Sequence, residues 1–553
     1  MPESLRNVLG VVAAFALGVI AFFVLIGWQT LIPTNIGWLN FADRAMHTLG
    51  WMFFRQAPWG MPPGMNPKLG LELASSIGLV DGLPLFALPA KLLSPWLPHP
   101  FQYWGDWLLI SIVLQAVFAY AVAREMQAGR LVSLCAAAFA VITPAYMFRV
   151  EMHLALSGHW TILAALYLYV RRDPPRRWMW PLLVILTSAI HAYLLAMVGG
   201  LWVAALVERL WEKRMVWSAA LAEILVSLVG ALLVLWAAGF FVTGSIGTYG
   251  YGDYKLNLLW PLLTYRGWSH IIPDWPHTKY DYEGLSFLGI GIIAVLLVSV
   301  FTGAVAQLRA TLTPRWLPLA VILVLLTLFA ISANVHFADI HLFTVPLPSR
   351  IENLAATFRS TGRFVWPLLY VATIGTVVMF GRRFNVALAV PVLVAGFAAQ
   401  AWDSADALLN FNRHLGPVSD TWTTPLVSPF WDRAAAAGYD NIRAIPLVSN
   451  PGNDWQALGY YAVTHDMGID TVYLGRVDQT ALAAIRARDQ QALDTGDFEP
   501  KTLYMLNSAA AATAATHMAP GDLLAVIDDR IVFARGGASL AQGLDIAPLA
   551  PGG

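Results

Sequence analysis

The sequence holds one cysteine, Cys135, in 553 residues. No disulfide can form within one chain and no cysteine cluster can bind a metal, so any part held outside the cytoplasm must be stable by packing alone. Charge is scarce as well. Asp, Glu, Lys and Arg make up 12% of the chain, about half the share usual in a soluble domain. The two signs balance at 34 each, and the basic residues sit in short loops between apolar runs, which excludes a nucleic-acid partner. No Gly-rich phosphate loop follows a strand-like segment, and no HExxH spacing occurs. The first apolar run begins near Val8 without a small-residue cleavage site, so a retained helix is expected there.

Apolar residues make up 58%. Runs such as Val11–Leu25 and Leu221–Phe241 approach or reach the ~20 residues of a spanning helix. Lys and Arg in short loops resist translocation, and the basic loops agree on one topology. They are Arg6, Arg124 with Arg130, Arg171–Arg177, Glu208–Arg214, Arg309–Arg315 and Arg382–Arg383, all expected inside. About eleven spans follow, at 8–32, 104–123, 131–148, 156–170, 179–192, 194–208, 216–242, 285–307, 316–333, 364–381 and 385–400. The long loops 33–103, 243–284 and 334–363 then fall outside. Within the first, Leu83–Leu97 carries three prolines with a fourth, Pro98, just after it, and is expected to lie in the interface with Lys91 snorkelling.

Beyond Trp402 hydropathy drops, and residues 401–553 hold 17 acidic against 9 basic residues. Helical stretches (429–437, 455–467, 479–493, 508–516) alternate with strand-like runs (442–447, 471–474, 502–506), and two more strands, 523–527 and 531–534, close the pattern. This predicts a small α/β domain. The expected organisation is a membrane domain over 1–400, an α/β domain over 401–535 and a tail over 536–553.

Ionisable residues near a bilayer are costly and mark function by default. The unusual ones gather at the outer ends of helices. Asp43 and His47 stand one helical turn apart, as a carboxylate and an imidazole converging on one substrate would, or as an ordinary helix N-terminus does. Arg149, Glu151, His153 and His159 suit an anion, a sugar or a plain ion-pair network. Arg359-Ser-Thr-Gly-Arg363 places two guanidinium groups four residues apart with hydroxyls and a glycine between them, a donor-rich phosphate site if the helix begins early enough. Asp81, Glu283, the His191-Ala-Tyr193 turn and the aromatic residues Trp260, Tyr265, Trp268 and Trp275 complete the outer set.

The segments Gly50-Trp-Met-Phe-Phe-Arg55 with Pro58-Trp59 and Pro62-Pro63, Asp81-Gly-Leu-Pro-Leu85, and Arg359 to Pro367 carry a family resemblance. With the architecture they resemble the GT-C glycosyltransferases, membrane enzymes related to protein mannosyltransferases and lipid A aminoarabinose transferases. The resemblance implies a polyprenyl-phosphate-linked sugar as donor and a glycan, lipid or protein acceptor. It implies Asp43 as general base, with His47 and Asp81 as the other catalytic candidates. Arg359, Arg363, Arg149, His153 and Glu283 would hold the donor, and a divalent metal is an open requirement with no ligands assigned. The expected setting is a bacterial inner (plasma) membrane with a periplasmic C-terminal domain. Two other readings stay open: a transporter or flippase of lipid-linked saccharide, and a non-catalytic subunit of an envelope polysaccharide complex.

Overall fold

The computed structural model describes residues 3–171, 173, 175–243, 251–265, 267–304, 313–448, 450–452 and 454–546. Parts of the basic loops 171–177 and 309–315, of the aromatic loop 249–282, of the expected span 285–307 and of the tail lie outside these residues. The chain is mostly helical, with a small C-terminal sheet. Seven helices among the described residues are long and apolar enough to cross a membrane: Arg6–Leu25, Trp104–Glu125, Ala192–Trp211, Trp217–Ala237, Pro314–Ile331, Thr361–Arg383 and Val386–Asp403. Arg130–Val141 and Pro144–Met152, bent by 43°, would together make an eighth.

Contacts divide the chain into two units. The first comprises Met1–Trp38, Pro100–Val234 and Thr248–Val418; the second comprises Leu39–His99, Leu235–Gly247 and Ser419–Gly553. In the first unit the long helices expose leucine and valine outward (Leu225, Val229, Leu232, Leu325 and Leu328 are all more than half exposed), the reverse of a soluble amphipathic helix. The adjoining spans expected at 179–192 and 194–208 are helices of unequal length. Met179–Ser188 has 10 residues and rises about 15 Å, half a hydrocarbon core. His191 then caps the full-length helix Ala192–Trp211, its Nδ1 accepting from the Tyr193 N–H at 3.1 Å.

Arg209, counted above among the basic residues of an inner loop, is buried. Its guanidinium donates twice to Glu223 of the following helix, at 2.6 and 3.0 Å, and the Trp202 indole donates to the same carboxylate at 2.8 Å. A short hairpin, β1 (Asn334–Phe337) and β2 (Ile340–Thr344), follows the helix Pro314–Ile331; hydropathy gave no sign of it.

The second unit is built on a five-stranded sheet in the order β4-β3-β5-β7-β6, with β3 at Asn441–Ile445, β4 at Gly468–Ile469, β5 at Thr502–Leu506, β6 at Leu523–Ile527 and β7 at Arg530–Ala534. β3 runs parallel to β4 and β5, while β7 pairs antiparallel with β5 and β6. The run 471–474 is not a strand, because the pairing segment lies just before it at 468–469. Ile445, Phe498, Tyr504, Leu506 and Phe533 form the core with the helices Gln479–Thr495 and Ser508–Ala515.

Residues 64–76 of the first long loop join this sheet. Gly70 N–H donates to Ile469 O at 2.7 Å and Ile469 N–H to Lys68 O at 2.9 Å, a parallel bridge outside β4. A charged cluster fastens the same loop. Arg443 of β3 meets Glu72 (2.7 Å), Glu499 (2.9 Å) and the buried Asp470 (3.4 Å), and Arg488 meets Glu72 (2.9 Å) and Asp489 (3.1 Å). Burial pushes the Asp470 carboxyl up to about 7, against the pull of Arg443 and the Ala444 N–H. The helix Pro84–Leu92 has nine residues and is too short to span, but Lys91 does not snorkel. It is 5% exposed, and its Nζ lies 4.0 Å from the Phe54 ring centre and 4.7 Å from that of Trp59. The aromatic faces replace the water that snorkelling would have supplied.

Candidate functional site

Four of the five residues expected to hold a donor come together in the first unit. Glu283 sits in the tight turn Asp281–Gly284. Arg149 ends the helix Pro144–Met152, which the break at Thr143-Pro144 redirects. Arg363 lies in the single turn Thr361–Val365 that opens the helix beginning at Trp366. Arg149 Nη1 stands 3.0 Å from Glu283 Oε2, and its Nη2 donates to the Glu283 carbonyl at 2.7 Å. Arg363 donates to the same carboxylate through Nε at 3.1 Å and Nη2 at 2.6 Å. The arginine side chains are 3% and 7% exposed, so both charges lie in a largely dry place where pairing is strong and loss of a partner is costly.

Two glycines make this convergence possible. A Cβ on Gly362 would fall 2.7 Å from both Gly284 Cα and Lys255 O, and one on Gly284 would fall 2.6 Å from Lys255 O. Backbone therefore packs on backbone, with Gly362 N–H donating to Tyr254 O at 3.0 Å, and Arg363 is carried to Glu283. The side of Gly362 where a Cβ would project is filled by protein. The Thr361 hydroxyl is also committed, donating to the Ala330 carbonyl at 3.3 Å.

Below this contact Asp281 braces the turn. It is buried and accepts from the Asn257 amide (3.0 Å) and the Thr278 N–H (2.8 Å), with Lys255 Nζ at 3.5 Å. Arg359 is not on one helical face with Arg363, because it precedes the turn. Its guanidinium lies 5.7 Å from the Tyr254 ring centre, while that of Arg363 lies 4.9 Å from the Tyr193 ring centre. His153, 7% exposed, meets the His191 ring edge to face at 5.4 Å, which extends the cluster toward Tyr193.

The charge state of Glu283 decides what it can do. Burial alone would push its carboxyl up, but the fields of Arg363 and Arg149 and the Arg363 hydrogen bond outweigh that, aided by His153. Its carboxyl is held well below the usual carboxylate range. It is therefore a fixed counter-ion that orients two guanidinium forks, and a poor general base.

Deeper in the same unit, Gln115 Nε2 donates to the Tyr370 hydroxyl at 2.7 Å, and that hydroxyl stands 2.7 Å from His159 Nδ1. The Tyr370 hydroxyl thus joins the Gln115 amide to the His159 imidazole in one buried polar string. Tyr370 lies 255 positions from Gln115 and 211 from His159, so no local spacing reveals the string. Glu151, by contrast, is tied to Asn410 Nδ2.

The second unit holds the expected acids. Asp43 lies in the first turn of the helix Ala42–Gln56, and His47, fully buried, lies one turn on. Asp81 stands in the left-handed region (φ 51°), a conformation that costs energy for a non-glycine residue and concentrates at functional places. The helix meets this loop closely at Gly50, where a Cβ would fall 2.4 Å from Val80 Cγ2. A ring nitrogen of His47 and a carboxylate oxygen of Asp81 then lie within 4.8 Å of each other. They could furnish two donor atoms to a divalent ion, an imidazole and a carboxylate being ligand types such ions accept.

Residues 15–405 match a family described as a domain of unknown function, DUF6311, and residues 430–535 match the DUF6311 C-terminal domain. The chain belongs to this family. The first DUF6311 match contains every expected site residue, and the second covers the sheet from β3 to β7. No curated protein matches the chain.

Proposed function

We propose that this DUF6311 protein is a membrane glycosyltransferase that takes a sugar from a polyprenyl-phosphate donor and passes it to an envelope glycan, lipid or protein. The observation that carries the reading is the pair of buried arginines, Arg149 and Arg363, oriented by one ionised carboxylate, with Arg359 nearby in the chain. One carboxylate fixes the direction of two guanidinium forks in a place of low dielectric. A phosphate leaving group gains charge as the glycosidic bond breaks, and preoriented cations are the strongest means of stabilising it.

The apolar outward faces of the long helices support a bilayer setting. In this reading the helices form about eleven crossings of a bacterial inner membrane in a GT-C-like arrangement, and the C-terminal domain faces the periplasm. The proton of the acceptor hydroxyl is assigned to Asp43, with Asp81 beside His47 as the competing base.

Binding of a polyprenyl phosphate without sugar to the purified full-length protein in detergent tests the arginine site. Arg363→Lys keeps the charge but loses the planar fork, and a weakening of about tenfold, ~1.4 kcal/mol, is expected. Arg359→Ala, at a half-buried position where folding is less at stake, should weaken binding in the same direction. Wild-type affinity in both variants would remove the arginines from the function.

A further inference from the structure

The segment between the helices Pro314–Ile331 and Thr361–Arg383 carries an apolar surface that neither the fold nor the arginine site uses. Every residue of β2 is exposed. Ile340 (59%), Leu342 (48%) and Phe343 (54%) stand out from it, with Phe337 (45%) on β1 and Val345 (42%) just beyond. The short helix Ser349–Ala355 adds Ile351 (53%) and Leu354 (75%), three residues apart and so on one face. Asp339 is the one charged residue in 334–345.

This is a braced surface. Asn257, itself 1% exposed, accepts from Ala338 N–H at 3.0 Å and donates to Ala338 O at 2.7 Å, gripping the tip of the hairpin. Leu258 N–H donates to His336 O at 3.0 Å, which covers the outer edge of β1. Among the described residues no strand or loop backbone pairs with the edge of β2. A two-stranded hairpin with apolar side chains on both faces is not stable in water unless something covers it.

We infer that residues 334–355 form a lipid-docking flap, seated at the boundary between headgroups and acyl chains of a phospholipid bilayer. The inference rests on the reading that the long apolar helices of this unit cross a membrane. Chain length argues for lipid as the occupant. Only Ser332 and Ala333 separate Ile331 from β1, and at most ~3.6 Å per residue the hairpin begins no more than about 11 Å from the helix end. The headgroup region on each side of the hydrocarbon is of similar depth, roughly 5–8 Å. The open edge of β2 sets the depth, because unpaired N–H and C=O groups are too costly in hydrocarbon but are satisfied among headgroups and water. The flap runs directly into Arg359, so it would form the lipid-facing approach to the arginine site.

The test uses the full-length protein with Cys135→Ser, reconstituted in phosphatidylcholine vesicles, and a fluorescent thiol label at Leu342→Cys or Leu354→Cys. Leu354 is 75% exposed, so its replacement spares packing. A label at Leu325→Cys, on the outward face of the helix Pro314–Ile331, serves as the standard. Bromine on the acyl chains near the headgroup should quench the flap labels to within about twofold of the standard, and aqueous iodide should quench them little. Quenching by iodide alone would show the flap in water. Protection from both quenchers would show a protein cover. Either result overturns the flap while the standard remains quenched by lipid. Loss of lipid quenching at Leu325 as well would overturn the membrane reading itself, and the flap with it.

Discussion

Replacing Glu283 by Gln keeps the shape of the side chain and removes the charged carboxylate that Arg149 and Arg363 share. The arginine side chains are 3% and 7% exposed, so water cannot take over from the carboxylate. Breaking a buried pair of this kind costs about 3–5 kcal/mol, and two guanidinium groups share the loss here. The sign with pH follows from the depressed carboxyl. Its stabilising effect is present above the ordinary glutamate value of 4.5 and is lost as pH falls from there through the folded value. Wild-type protein should therefore lose stability progressively below about pH 4.5, and the Gln variant should lack that limb and be weaker at neutral pH. Thermal unfolding followed by tryptophan fluorescence in detergent, from pH 7 down to 3, provides the measurement. A second arm separates structure from ligand handling: a polyprenyl phosphate offers the arginines a new anion and should restore part of the lost stability. If Glu283→Gln unfolds at the wild-type temperature across that range, the arginines do not depend on this carboxylate and the reasoning fails.

Gly362→Ala should disrupt the same site from the backbone side. The added methyl would sit 2.7 Å from Gly284 Cα and from Lys255 O, so a loss of about 1–3 kcal/mol or more in thermal unfolding is expected. Asp470→Asn should flatten the pH dependence of the second unit. The Asp470 carboxyl is raised to about 7 from 3.8, so its favourable contribution is full below 3.8 and lost as pH rises through 7; proteolytic susceptibility of the sheet region, measured in the full-length protein at pH 5 and 8, should diverge in wild type and converge in the variant. Asp43→Asn should lower transfer by ~10²–10⁴-fold while polyprenyl phosphate binding stays near wild type; wild-type turnover would shift the base to Asp81.

Much of the first unit was legible because hydrocarbon-length runs announce themselves. The helices Arg6–Leu25, Trp104–Glu125 and Thr361–Arg383 lie where apolar length places them, since a run of Leu, Val and Ala can satisfy its own backbone only as a helix. The strands 502–506 and 523–527 were equally readable from local alternation. The site residues were legible as types, because Arg359, Arg363, Arg149 and Glu283 are charges beside apolar runs.

Their pairing was not legible. Arg149 and Glu283 are 134 residues apart, and Arg363 reaches Glu283 only because two glycines let backbone meet backbone. The Arg443 cluster drawing Glu72 from 371 positions away is of the same kind, as is the Asn257 grip on the hairpin at 334–344. Sequence periodicity reports which face of a helix or strand is apolar, and it determined the segments and the chemistry available to them. Which charges meet, which are held ionised and which apolar surface is left over depend on contacts between distant segments, and those the tertiary structure alone decided.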